Sequence, residues 1–220
     1  MIWDWGYAIS ILPRLAEASL VTLAATVVGF ALAAILGLVL AVLGSSHNRL
    51  ITVPVMVFIE FIRSTPLLIQ LFALYYFLPL WGIMLPAFVC GFIALGVHYA
   101  TYCAEVYRAG LENVPRGQWE AAKALNMSPA RTYARIVLPQ AIPPVLLPLG
   151  NYFVAMFKET PVLLAITVIE LVATARIIGN DTFRYTEPIT LAGVFFLIFS
   201  IATAAGVRGL DRMVKGKWSI

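Results

Sequence analysis

The chain has 220 residues, 61% of them hydrophobic and only 12% charged, with a formal net charge of +4. Soluble domains carry about twice that charged fraction, which excludes a soluble enzyme, a nucleic-acid binder and a disordered chain. The segments 18–43, 87–104 and 189–207 contain no charged side chain. Each is close to or above the roughly 20 apolar helical residues that cross a hydrocarbon core of about 30 Å, so the pattern is that of a polytopic membrane protein.

The N-terminal residues lack the basic stretch and small-residue cleavage site of a secretory signal, so the first apolar run is expected to be a retained span. That span, 18–43, is rich in small residues (Ala24, Ala25, Gly29, Ala33, Ala34, Gly37), a composition that permits close helix packing. A second span is predicted over 51–81, with Tyr75, Tyr76 and Trp81 near its outer end as an interfacial aromatic belt. The third, 87–104, holds both cysteines, Cys90 and Cys103, read as small buried hydrophobes. It also holds His98, Tyr99 and Tyr102, read as packing residues. The fourth, 141–169, is entered through Pro139, Pro143 and Pro144, and the fifth, 189–207, through Glu187-Pro188. The expected fold class is therefore an all-α polytopic membrane protein with five transmembrane helices in a single domain over 1–220.

Five spans place the termini on opposite sides. One side then receives Arg49, Arg108, Arg116, Lys123, Arg131, Arg135, Arg208, Arg212, Lys215 and Lys217, the other only Arg14, Arg176 and Arg184. The positive-inside rule predicts an outer N-terminus and a cytoplasmic C-terminus. On this topology Asp181 and Arg184 lie in an outer loop, 176–187, where they would meet an external protein partner or water.

The cytoplasmic loop 105–140 is the one sizeable polar region and reads as structured. Good helix formers run from Arg116 to Leu125 just after Pro115. Ser128-Pro129 is an N-cap with proline at the first helical position, opening a second helix expected to stop at Pro139. Asn126-Met127 would join the two. Ala121 and Ala122 would let a partner backbone approach, and Trp119 and Leu125 offer apolar anchors; an amphipathic hairpin lying at the interface fits the same pattern.

Glu120-Ala121-Ala122 with Leu125, and Ile136-x-Leu138-Pro139-Gln140-Ala141, resemble the EAA loop of ABC-importer permeases. Phe61–Phe72, Ala104–Gly110 and Val114–Gln118 are similar in wording to the polar amino-acid uptake branch of that family, and the resemblance runs over roughly residues 15–210. It implies a permease domain whose loop is a coupling helix seated in a cytoplasmic ATPase. Glu120 would make the polar contact, flanked by Trp119, Ala121, Ala122, Leu125 and Asn126. Asn126 stands where the family usually has glycine; asparagine is the next most tolerant residue for a left-handed helix terminus. The implied partners are ABC ATPase subunits carrying ATP-Mg, a second permease, an extracytoplasmic solute-binding protein and the lipid bilayer of the bacterial inner membrane. This chain has no phosphate-binding G-x-x-x-x-G-K-[ST] loop and is expected to bind no cofactor or metal of its own.

Two spans carry the same interruption, Arg63-Ser-Thr-Pro-Leu-Leu68 and Lys158-Glu-Thr-Pro-Val-Leu163. Ionisable groups at membrane depth are costly and point to function, and paired proline breaks point to a transport site. Arg63, Thr65, Lys158, Glu159 and Thr160 are thus predicted to line a polar pathway suited to a zwitterion, cations facing its carboxylate and Glu159 its ammonium. A Glu60–Arg63 pair along one helix is the structural alternative for Arg63. The predicted function is passage of a polar amino acid or an amino-acid-derived zwitterion through an ABC importer. A compatible solute such as ectoine or hydroxyectoine is an alternative substrate, and an ion-coupled secondary transporter an alternative mechanism.

Overall fold

The computed structural model describes residues 3–46 and 48–218, and every regular element among them is helical. Helix α1 (Trp5–Gly44) has 40 residues and is about 60 Å long at 1.5 Å per residue. It begins well before the predicted span at 18, because Asp4 caps it, accepting from the Tyr7 N–H at 3.1 Å. Its first turns also pack on other helices: Ile11 and Leu15 join Leu171, Ala175, Ile178 and Ala192 in a small cluster. Local composition hides this extension, since the charges of Arg14 and Glu17 interrupt the apolar run.

Helix α4 (Ala87–Glu112) is the main partner of α1. Ala25, Gly29, Ala33 and Gly37, spaced by four, are all buried on one side of α1. A Cβ added at Gly37 would lie 2.6 Å from Cys103 Cβ and 2.8 Å from the Ala100 carbonyl. One added at Gly96 would lie 3.0 Å from the Gly29 carbonyl. The two backbones are in direct contact, which is how helices gain van der Waals energy where lipid offers no hydrophobic contrast. The seam is continuous with the core of Leu71, Leu95, Tyr99, Met156, Leu163 and Ile166.

The predicted second span is not one rod. Helix α2 (Arg49–Ser64) and helix α3 (Leu67–Phe72), the latter continued by a π turn and a 3-10 turn to Trp81, meet at 105°. Pro66 has no N–H to donate, so the end of α2 needs other donors. Gln70 supplies them: its Nε2 donates to the Ile62 carbonyl (2.7 Å), the Thr65 carbonyl (3.0 Å) and Thr65 Oγ1 (2.9 Å). Non-helical backbone at membrane depth survives where such partners satisfy it. Trp81 and Tyr76 are exposed beyond the bend.

After α5 (Arg116–Ala124) and one turn of α6 (Pro129–Thr132), the chain does not stop at Pro139 as expected. A π turn over Tyr133–Val137 leads directly into α7 (Leu138–Glu159), which carries Pro143, Pro144 and Pro148 inside it. Pro139 sits in the first turn of α7, where no intrahelical N–H is required, and the widened turn before it accommodates the ring. The fourth predicted span is likewise broken, passing at Thr160 into a 3-10 segment to Ile166 that ends on Thr167 at φ 67°.

Helix α8 (Leu171–Thr182) then starts from a fully buried cap. Glu170 Oε1 accepts from the Ala173 N–H at 2.7 Å, and Thr22 Oγ1 of α1 accepts from the Leu171 N–H at 3.2 Å. Helix α9 (Thr186–Trp218) closes the bundle against α7 and α8. Among the described residues four helical stretches are long and apolar enough to cross a membrane, and five if α2 and its bent continuation count as one span.

Candidate functional site

Tyr99 and Tyr102 are three apart on α4, and His98 and Tyr102 four apart, so all three share one helix face. Tyr152 of α7 closes against them, with ring centroids 6.2 Å from Tyr99 and 5.4 Å from Tyr102. His98 lies 5.6 Å from Tyr99 and 5.4 Å from Tyr102. Two charged groups border this aromatic cluster. Arg63, at the broken end of α2, holds its guanidinium 5.2 Å from the Tyr102 ring centroid, within cation–π range. Glu159, at the broken end of α7, is close enough to act electrostatically on the Tyr99 hydroxyl and on His98. Each charge is therefore delivered by a proline-linked helix break, and both remain exposed while Tyr99 is buried.

The geometry sorts the residues expected to line the pathway. Arg63 and Glu159 converge on the tyrosines. Glu60 instead accepts from Ser64 Oγ at 3.3 Å, and no Glu60–Arg63 ion pair occurs among the described residues. Lys158 points the other way, into a groove with Pro161, Val172, Ile189 and Phe196 beside α9. Adjacent helical residues lie about 100° apart, so Lys158 and Glu159 cannot both face the cluster. Thr65 and Thr160 are committed to the backbone at the two breaks: Thr65 Oγ1 to the Phe61 and Ile62 carbonyls at 3.1 Å, Thr160 Oγ1 to the Phe157 carbonyl at 2.8 Å. Sequence reasoning missed Tyr152 and Gln70. The seven-residue spacing of Tyr152 and Glu159, one face of a helix, was the available signal for the first.

Chemically the cluster offers a cation, a carboxylate, three phenol rings and an imidazole whose Nδ1 is buried without a hydrogen bond. That set carries the two opposite charges and the aromatic faces that a zwitterion would pair with.

At the other end of α4 the loop 113–137 is organised around α5. Its C-terminus is a Schellman cap: the Met127 N–H donates to the Ala122 carbonyl at 3.0 Å and the Asn126 N–H to the Lys123 carbonyl at 2.9 Å. Asn126 adopts φ 50°, the left-handed conformation the turn requires. Trp119 and Ala122 face inward, Trp119 in an edge contact with Tyr133 (5.3 Å) and against Val114 and Val137. Glu120, Ala121 and Leu125 face out, with Leu125 74% exposed. The helix thus has one face spent on its own bundle and one open.

The segment 176–187, expected to be an outer loop, is internally engaged. Arg184 pairs with Asp4 (3.6 Å) and Glu187 and lies over the Tyr7 ring, while Asp181 stands 3.9 Å from Arg14. The Arg184 contact holds the Glu187 carboxyl below the usual carboxylate range, against its burial.

An all-helical bundle with two broken helices that bring opposite charges to the border of one aromatic cluster, and an exposed amphipathic loop helix at one end, defines a membrane transport subunit. Residues 33–216 match the family model of the binding-protein-dependent transport system inner membrane component, and the chain belongs to that family. It is 48% identical over 214 residues to the probable amino-acid ABC transporter permease protein y4tG of Sinorhizobium fredii, covering 95% of this chain and 93% of that one. It is 32% identical to the L-cystine transport system permease protein TcyB of Bacillus subtilis, over 88% of this chain and 85% of the relative. Its fold matches the crystal structure of an amino acid ABC transporter with histidines at a TM-score of 0.89 and 32% identity, over 97% of this chain and 100% of that chain.

Proposed function

We propose that this chain is the inner-membrane permease of an ABC importer for a polar amino acid or an amino-acid-derived zwitterion, with the cluster around Tyr99 and Tyr102 as its transmembrane solute site. The observation that carries this reading is the placement of Arg63 and Glu159 at opposite-charge borders of one aromatic cluster, each at a helix break. Arg63 takes the carboxylate of the solute and Glu159 its ammonium, and the tyrosine faces cover the carbon skeleton and add cation–π attraction. The three phenol rings suit an amidinium or quaternary ammonium as well, which keeps ectoine-like solutes in the substrate class. The amino-acid relatives support the same class.

The α5 end faces the cytoplasm, in keeping with the ten basic residues on that side. There the open face of α5 (Glu120, Ala121 and Leu125, with Asn126 shaping the turn) docks on an ATPase subunit that binds ATP-Mg. Trp119 fastens α5 to the π turn that leads into α7, so that movement of the ATPase is passed to the helix bearing Glu159. A second permease and a solute-binding protein complete the transporter, and the bundle alternates between inward- and outward-open forms.

Uptake by the assembled transporter in vesicles tests this. Glu159→Gln is expected to lower uptake at subsaturating solute about tenfold or more, the order of a lost charge-assisted hydrogen bond. Lys158→Gln, in the separate groove, is expected to leave it within about twofold. Equal effects of the two substitutions refute the site.

A further inference from the structure

Two cavities at the α5 end share a wall. The deeper one, about 310 Å³, lies between α1 and α7 and is lined by Leu38, Val42, Tyr107 and Ile142 among other apolar groups. The shallower one, about 380 Å³, holds Gly44, Ser45, Arg108 and Glu112. Leu111 and Tyr133 line both, so the two form one amphipathic recess, apolar toward the bilayer centre and charged at its mouth.

We propose that this recess binds an ethanolamine phospholipid from the leaflet on the α5 side, with an acyl chain between α1 and α7 and the headgroup on Arg108 and Glu112. The proposal rests on the membrane placement given above and not on the identity of the transported solute. Leu38, Val42 and Ile142 are exposed on their helices, so the deeper cavity has an open apolar rim, which on that membrane placement faces hydrocarbon rather than water. A hydrocarbon chain is the occupant that such a wall accepts without desolvation cost.

The mouth selects the headgroup. Arg108 Nη2 lies 2.6 Å from Glu105 and Nη1 3.0 Å from Glu112, so the triad has one positive and two negative charges. Its net negative charge disfavours a purely anionic headgroup and favours one that adds an ammonium. Arg108 and Glu112 are one helical turn apart, about 5.4 Å along the axis, which suits a phosphate on the guanidinium and the ammonium one turn nearer water on the carboxylate. Glu112 is 63% exposed and retains acceptor capacity for it. Trp119 and Tyr133 form part of the same wall. These two rings pin α5, so an occupied recess braces the helix that meets the ATPase.

The test uses the permease–ATPase complex purified in mild detergent, with retained lipid identified by native mass spectrometry. Reconstitution follows into vesicles of phosphatidylethanolamine and phosphatidylglycerol, or of phosphatidylcholine and phosphatidylglycerol. The wild type is expected to retain phosphatidylethanolamine over phosphatidylglycerol and to couple ATP hydrolysis to uptake better in the ethanolamine vesicles. Ile142→Trp, which fills the chain cavity, is expected to lower retained lipid about tenfold. Leu38→Phe serves the same purpose should that variant fail to assemble. Glu112→Gln is expected to lower the ethanolamine preference about two- to fivefold, the range of a solvent-exposed ion pair. Retention unchanged in the variants, preferential retention of phosphatidylglycerol, or absence of lipid because a second copy of the chain covers the recess would each overturn the proposal. Retention is read without transport, so its failure is distinct from failure of the solute site.

Discussion

The α1–α4 seam makes a quantitative demand on Gly37. A Cβ there would stand 2.6 Å from Cys103 Cβ and 2.8 Å from the Ala100 carbonyl oxygen, both on the backbone or its first carbon, so rotamer changes cannot relieve the contact. Gly37→Leu adds four carbon atoms at that point and must force α1 and α4 apart. Overpacking of a close-packed interior costs about 1–3 kcal/mol, occasionally more. Separating the helices also strips contacts from the Ala25–Gly29–Ala33 ladder above, so the upper part of that range is expected. Gly193 of α9 is the matched control, because an added Cβ meets nothing within 4 Å there. Replacing a helical glycine also gains up to about 1 kcal/mol of helix propensity, so Gly193→Leu should be neutral or stabilising. Thermal unfolding of the two variants in one detergent, followed by intrinsic fluorescence and by retention of the ATPase, separates them. If Gly37→Leu unfolds at the same temperature as Gly193→Leu, the seam is not the close contact described.

Asn126 holds φ 50° in the cap that ends α5. Asn126→Gly should be neutral or slightly stabilising, whereas Asn126→Val should cost about 1–2 kcal/mol of local stability, the penalty of a left-handed branched residue, and loosen ATPase binding in pull-down. At the opposite end of the bundle from α5, the Glu187 carboxyl is held below its usual range by Arg184. A depressed carboxylate contributes stability that is present above its unfolded value of about 4.3 and is lost as pH falls through the lower folded one. Hydrogen exchange in the first turns of α1 should accelerate as pH is lowered through that window, after correction for intrinsic rates, and Arg184→Ala should show the faster rates already at neutral pH. An α1 N-terminus equally protected in that variant would refute the clasp.

Much of this was legible in the sequence, and the misses have physical causes. Charge-free runs identified the membrane class because desolvating a charge dominates every other local term. The α5 helix followed from its helix formers after Pro115, which is local chemistry, and the left-handed Asn126 from the glycine that the resembling family carries there. The proline pairs at Pro66 and Pro161 marked both breaks, yet not the 105° turn at the first, since the angle is set by Gln70 reaching back to Ile62 and by packing on α4. The same holds for α1, whose first turns carry Arg14 and Glu17 and are held in place by α8 and α9. Pro139 looked like a stop because a helix interior cannot normally take it; the π turn before it was invisible to pattern. Within the candidate site, basic-x-Thr-Pro wording made Arg63 and Lys158 equivalent. Only the helix azimuths, which put Glu159 on the tyrosines and Lys158 on α9, separate them.

The central claim is that Arg63 and Glu159 read the two charges of one solute, and matched analogues test it directly. Binding of the transported amino acid to the reconstituted complex is compared with binding of its deaminated acid and its decarboxylated amine, in wild type, Arg63→Gln and Glu159→Gln. The wild type is expected to prefer the amino acid to each analogue by about tenfold or more, the order of one charge-assisted contact. Arg63→Gln should lose only the preference over the amine, and Glu159→Gln only the preference over the acid. Retention of both preferences in both variants would contradict it.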